Sequence, residues 1–176
     1  MGEAGDVSGE ATFASVNAPF NIRVYGLLLH KDRILVADEL IKGHRITKFP
    51  GGGLEFGEGL KDCLIREIRE EVGVEAFDLQ HFYTTDFFQE SAFREGQQII
   101  SIYFTFLVDD PFAIPVSTVP FNFKQTVEDE ESFRWLDLSS ALVEDVTLPI
   151  DRVVLGMLIG RIGGRDGGPH AEAQSR

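Results

Sequence analysis

The chain has 176 residues, 43% of them hydrophobic and fifteen of them Phe, which suits one domain with a sizeable core. Its 29 Asp and Glu outweigh 16 Lys and Arg, giving a formal net charge of -13. That balance argues against broad contact with nucleic-acid backbones or anionic membranes, so an anionic ligand must be met by local chemistry or by a cation. Cys63 is the sole cysteine, so an intrachain disulfide is excluded and a cytoplasmic location is expected.

Residues 1–18 are rich in Gly, Ala, Ser and acids, without periodicity, a basic start or an apolar run. They read as a flexible tail with no export signal or membrane anchor, and residues 163–176 read as a second tail, leaving 19–162 as the folded domain. FNIRVYGLLL and RILVADEL, separated by HKD, predict a hairpin. A loop at 42–44 and a short strand from Ile46 to Phe49 follow, ending at Pro50 and the glycines Gly51, Gly52 and Gly53. Leu60, Leu64, Ile65, Ile68 and Val72 recur at helical spacing, predicting one helix from about Gly59 to Val72 that stops at Gly73. Two long strands are predicted over FDLQHFYTTDFFQ and QQIISIYFTFLV, joined by the loop ESAFREG. A Pro-punctuated segment leads to the acidic run from Glu128 to Glu131, a strand SFRWLDL, and helices over LSSALVED and PIDRVVLGMLIGR. Strands on both sides of the first helix imply a mixed sheet between helices, an α/β fold without internal repeats.

Glu67, Glu70 and Glu71 lie three and four residues apart, hence on one helix face beside the apolar stripe. Like charges so placed repel and raise one another's pKa unless a cation joins them, and hard divalent cations favour such oxygen ligands. A solvated helix in which Arg66 pairs with Glu70 and Arg69 balances the rest is the competing explanation. The wider spacing decides between them. Gly52, Glu58, Arg66, Glu67, Ile68, Glu70, Glu71, Gly73 and Val74 complete the pattern G, five residues, E, seven residues, R-E-U-x-E-E-x-G-U, with U a bulky aliphatic. Seven identical letters at these spacings arise by chance on the order of once in a billion starting points.

In these 23 residues the chain resembles the Nudix hydrolase family. The resemblance implies an α/β/α sandwich with a mixed sheet and hydrolysis of a diphosphate joined to another group, with Mg2+ or Mn2+ as cofactor. It implies that the Gly52 carbonyl, Glu67, Glu70 and Glu71 ligate the metal, that Arg66 orients Glu67, and that Glu58 holds the loop from the outer shell. The water's proton would pass to a box glutamate or to an acid of the later run, for which Glu130 and Glu131 are the candidates. The expected partner is a small nucleoside diphosphate derivative such as a nucleotide sugar, not nucleic acid or membrane. Arg94, in the loop after the box, is the candidate contact for phosphate or ribose. The Pro and Tyr that often mark members cleaving ADP-ribose or dinucleoside polyphosphates are missing, since that region reads QESAF.

Two other functions are weighed against hydrolysis. A Nudix-like nucleotide sensor would show a damaged box or a DNA-binding domain, and an isoprenyl diphosphate isomerase would need a catalytic cysteine outside the box. Cys63 lies inside it, where a small core residue is expected. Phe-rich segments 82–88 and 99–106 suggest a homodimer interface.

Overall fold

The computed structural model describes residues 20–123 and 131–163. Both expected tails and Glu130 lie outside the described residues, apart from Gly163 at the end of the last helix.

Seven strands and two main helices follow in the order β1 (Phe20–His30), β2 (Arg33–Ile41), β3 (His44–Lys48), β4 (Gly51–Gly53), α1 (Leu60–Glu67), β5 (Phe77–Thr84), β6 (Gln98–Leu107), β7 (Glu131–Asp137) and α2 (Pro149–Gly163). The expected hairpin is present: Lys31 and Asp32 turn β1 into β2, with His30 opposite Arg33. β1 then runs parallel to β6 from the Phe20–Gln98 pair to the Leu28–Phe106 pair. β4 pairs antiparallel with β1, β5 with β6, and β3 and β7 with β2, so the seven-stranded sheet is mixed.

The two central strands are almost wholly apolar because both of their faces are covered. On one face Val24 and Leu28 of β1, Leu35 and Ala37 of β2 and Phe104 and Phe106 of β6 pack with Leu64 and Ile68. On the other, Tyr25 and Leu27, Ile34 and Val36, and Tyr103 pack with Val154, Leu155 and Leu158 of α2. The alternation of side chains along each strand thus builds the two cores of an α/β/α sandwich. Among the described residues no helix is long and apolar enough to cross a membrane.

Three elements differ from the pattern-based expectation. The helix after the glycines runs to Val72, but its last turn, Ile68–Val72, is a π turn that closes through Gly73 N–H donating to the Ile68 carbonyl at 3.1 Å. Gly73 has φ of 78°, a left-handed conformation costly for a residue bearing Cβ. β5 ends at Thr84 instead of reaching Gln89, for Tyr83 donates its hydroxyl to Asp86 at 2.6 Å and Thr85 pairs both backbone and hydroxyl with Ser101, which turns the chain away. The expected helix over LSSALVED is only a 3-10 turn at Val143–Asp145. There Asp137 accepts from the Ser139 N–H and hydroxyl, and Asp145 accepts from the Leu142 N–H, local bonds that compete with a helical ladder.

A buried acid fastens the segment beyond β6 to this frame. Asp38, on β2 and fully buried, accepts from the Thr47 hydroxyl at 2.7 Å, the Arg134 guanidinium at 2.8 Å and the Phe121 N–H at 3.0 Å. Removing the carboxylate leaves Arg134, whose side chain is 15% exposed, without its partner. Asp38→Ala is expected to cost about 3 kcal/mol or more in urea unfolding, and a loss below about 1 kcal/mol would show that the network adds little.

Candidate active site

The site is built where β3, β4, the α1 region and β7 meet, and two cations organise it. Arg66, near the end of α1, donates to Glu58 through Nε at 3.0 Å and through a terminal nitrogen at 2.7 Å. Its other terminal nitrogen donates to Glu67 at 2.8 Å and to Glu70 at 3.2 Å, while the one facing Glu58 also donates to the Gly53 carbonyl at 3.1 Å. Glu58 in turn accepts from the Glu55 N–H at 2.8 Å, which closes the loop between β4 and α1. The bidentate Arg66 contact holds the Glu58 carboxyl well below the usual range, at about 2, and the guanidinium correspondingly up.

Lys48, the last residue of β3, organises a second group. Its ammonium lies 3.0 Å from Glu39, 3.3 Å from Glu131 and 3.7 Å from Glu71, and donates to the Gly51 carbonyl at 3.4 Å. Burial alone would lower the lysine pKa, but these carboxylates reverse the effect and hold it raised. Glu71 is raised by burial, opposed by Lys48 and reinforced by Glu131, and Glu131 is raised by its own burial.

The expected trio is therefore divided. Glu67 and Glu70 stay with Arg66, whereas Glu71 turns to the β3–β4 loop and accepts from the Gly51 N–H at 3.0 Å. Arg69 balances none of them; it pairs with Glu75 at 2.6 Å. Glu131 joins Glu71 through Lys48, while Glu130 falls outside the described residues. Cys63 is fully buried, its thiol pushed up to about 12 by burial, which makes it an inert core residue.

Gly52 shows why the box needs glycine. A Cβ there would collide with the carboxylate carbon and both oxygens of Glu67, so the missing side chain is the space that this acid occupies. All the side-chain donors gathered are carboxylate oxygens, three around each cation, a formal excess of four negative charges, and hard divalent cations prefer such oxygens. As the side chains stand, turned toward Arg66 and Lys48, no three acids, His or Cys among the described residues enclose a metal position. The donor chemistry and the Gly52 cradle fit a divalent cation.

Beside this cluster, sharing Glu39 and Lys48 with it, opens a cavity of about 340 Å3 between β1, β6, the start of α2 and the loop before β6. Arg94 lines it with its neighbours Ser91, Ala92 and Phe93, and several hydrogen-bonded side chains face it. Tyr25 stacks on Tyr103 at 5.4 Å, Arg23 donates to the Tyr25 hydroxyl at 3.0 Å, and Tyr103 donates to Asp151 at 2.6 Å. The segment after β6 serves a different place: Pro115, Val116, Ser117 and Asn122 border a more open groove with Glu71 and Glu131. Of the Phe-rich segment, Phe82 packs beneath Arg161 at 4.2 Å, while Phe87 and Phe88 are exposed.

Pattern reasoning missed Lys48, Glu39, Asp151 and the tyrosine pair. The signal available was a charged residue inside an apolar run: Lys48 just before Phe49, and Asp151 in the first turn of an apolar helix.

An oxygen-rich anion site at the edge of an α/β/α sandwich is what a phosphate-cleaving enzyme of the Nudix class presents. The NUDIX domain profile matches residues 19–155, and the chain belongs to the Nudix hydrolase family. An RNA pyrophosphohydrolase of Acinetobacter baylyi is 43% identical over 51 residues, 28% of this chain and 30% of that protein, so the chain spans under a third of this relative's length. The fold is similar to the solution structure of the E. coli ORF135 protein, with TM-score 0.58 and 20% identity over 85% of this chain and 96% of that one. It is likewise similar to a NUDIX hydrolase from Nitrosomonas europaea, with TM-score 0.57 and 19% identity over 90% and 97% of the two chains.

Gly52→Ala, Glu67→Gln and Glu71→Gln are each expected to lower kcat at least ~100-fold while circular dichroism stays unchanged, since each displaces or neutralises one carboxylate. Near-normal turnover in all three would return the acids to the role of a solvated surface.

Asp151 supplies a separate pH prediction. Burial raises its pKa from the ordinary 3.8 to about 6, against the Tyr103 hydrogen bond. The folded state then binds this proton more tightly than the unfolded chain, so the stability contributed by the neutral acid is complete below pH 3.8 and lost as pH rises through about 6. Relative to Asp151→Asn, the wild type should lose about 2 kcal/mol between pH 4 and 7 in urea unfolding. Parallel stability profiles would show that the carboxyl does not titrate differently on folding.

Proposed function

We propose that the protein is a divalent-cation-dependent hydrolase that cleaves the phosphoric anhydride of a nucleoside diphosphate linked to another moiety, such as a sugar or nucleotide. The observation that carries this reading is the complete box joined through the Glu71–Lys48 ion pair to a cavity of small-ligand size that Lys48 lines. Glu67, Glu70 and Glu71, with the Gly52 carbonyl, would hold Mg2+ or Mn2+, and Glu58 would support them through Arg66. A bound cation would supply an acidified water and neutralise charge on phosphate oxygens. Arg66 holds the Glu67 carboxylate over Gly52 and Lys48 holds Glu131, contacts that support Glu67 or Glu131 as the acceptor of the water's proton. No Ser or Cys nucleophile stands among the residues described at the site, which favours direct attack by water over a covalent enzyme intermediate.

The non-phosphate part of the substrate would enter the cavity beside Lys48, with Arg94 at its rim and the Tyr25–Tyr103 pair beneath it. The Acinetobacter relative's name points to RNA, but a chain with formal net charge -13 opposes a long polyanion and favours a small substrate. A cytoplasmic location accords with the buried, unpaired Cys63, and exposed Phe87 and Phe88 are the surface through which a homodimer would form.

Purified protein should lose hydrolysis in excess chelator and regain it with Mg2+ or Mn2+; full activity with chelator present would overturn the cation dependence. A panel of nucleoside di- and triphosphates, nucleotide sugars, dinucleotides and a 5′-triphosphorylated oligoribonucleotide should show fastest turnover on a linked diphosphate, with one product phosphate labelled from oxygen-18 water. Binding without any turnover would mean a sensor, and a trapped phosphoryl or nucleotidyl protein would refute attack by water.

A further inference from the structure

Lys48 is out of place on sequence grounds and central on structural ones. Its side chain is 4% exposed, at the end of a strand where Ile46 and Thr47 before it are also buried, and an ammonium removed from water must find partners for three N–H donors. Glu39, Glu131 and the Gly51 carbonyl stand within 3.4 Å of it, and Glu71 at 3.7 Å. The three acids come from β2, β7 and the π turn, so no single element brings them together. Two of them are further fixed by backbone, Glu71 by the Gly51 N–H and Glu131 by its place opposite Glu39 in the β2–β7 ladder. Arg66 has the equivalent post for Glu58, Glu67 and Glu70, but it sits at the surface side, where Glu70 is 60% exposed. The acids around Lys48 are each less than 20% exposed, so water cannot screen their repulsion as it can for Glu70.

We propose that Lys48 is a cation supplied by the chain itself, standing where Glu39, Glu71 and Glu131 would otherwise draw in a further divalent ion, and that it positions Glu71 and Glu131 for the reaction. It is a positioning residue, with its donors used within the protein and its head group away from solvent. The inference rests on the reading of the site as a cation-dependent hydrolase. It goes further in assigning to the protein one of the positive charges that an acid-rich phosphate site requires. Methionine matches the lysine stem without its charge, so Lys48→Met raises the negative charge of the cluster by one and leaves three carboxylates facing a vacated position. Adding Glu39→Gln returns the cluster to its original net charge.

Mn2+ binding followed by electron paramagnetic resonance, without substrate, separates the outcomes. Lys48→Met should bind one more Mn2+ per chain than the wild type, and its melting temperature should rise more on Mn2+ addition. Its kcat should fall at least ~10-fold, as for loss of a group that orients metal ligands, and by more than KM changes, because the ammonium spends its donors on protein oxygens although it borders the cavity. Lys48→Met/Glu39→Gln should return to the wild-type Mn2+ count. Equal Mn2+ counts in wild type and Lys48→Met would overturn the proposal, as would failure of both variants to fold with and without Mn2+, which would make Lys48 a structural pin. A wild type that binds no Mn2+ and hydrolyses in chelator would instead refute the cation-dependent reading, while an additional ion gained by Lys48→Met would still support the role of the lysine.

Discussion

Two buried or half-buried cations, each clasped by three carboxylates, hold the functional end of this molecule together. Six acids within one small region repel strongly, and the cost rises as water is withdrawn. Arg66 and Lys48 offset part of it, and in doing so they set where each acid points. Ion pairs of this depth are a poor source of net stability, because desolvation consumes much of the Coulomb gain. What they supply is geometry: an acid with a bidentate or multiply bonded partner has few alternative positions. The residual negative charge of the cluster is the property a cation-dependent phosphate site needs, and a hydrophobic replacement would remove it.

The sandwich serves the clasps by bringing distant segments to the same edge. The parallel pairing of β1 with β6 forms the middle of the sheet, α1 and α2 cover its two faces, and the ends of β3 and β7 meet on either side of β2. Because β2 pairs with both of these strands, Lys48 of β3 and Glu131 of β7 approach Glu39 from opposite sides. The π turn contributes one further displacement. An unbroken α-helix would keep Glu67 and Glu71 one above the other at four-residue spacing, whereas the wider turn from Ile68 to Val72 accompanies the handing of Glu71 to Gly51 and Lys48. One run of acids thus serves both clasps. The cavity lies beside the second clasp, for Glu39 and Lys48 line it together with Tyr25, Tyr103 and Asp151.

Much of the fold was legible before any coordinates, and for identifiable reasons. Apolar alternation set the hairpin of β1 and β2, the strand β6 and the amphipathic helix, since each follows from side-chain direction along its own backbone. Gly73 as the helix stop and Pro149 at the start of α2 were legible because both act through local φ and hydrogen-bond loss. The box was legible because its chemistry is written at short spacing: Arg66 with Glu58, Glu67 and Glu70 spans only a helix and the loop before it. Errors arose where side chains bond to nearby backbone, as Asp137 and Asp145 do in place of a helix, and where a tertiary contact such as Thr85 to Ser101 ends a strand early.

By itself, the sequence determined the family, the order of the main elements and the nearness of Arg66 to Glu67 and Glu70, all consequences of neighbours along the chain. Only the tertiary structure decided the Lys48 clasp, the division of the three glutamates between two cations, and the Tyr103–Asp151 pair in the cavity. Those contacts join residues separated by up to 83 positions, as Lys48 and Glu131 are, and no periodicity encodes them. A buried charge has to be matched by whatever the closed fold brings within a few ångströms, so its partner is known only after the strands have paired.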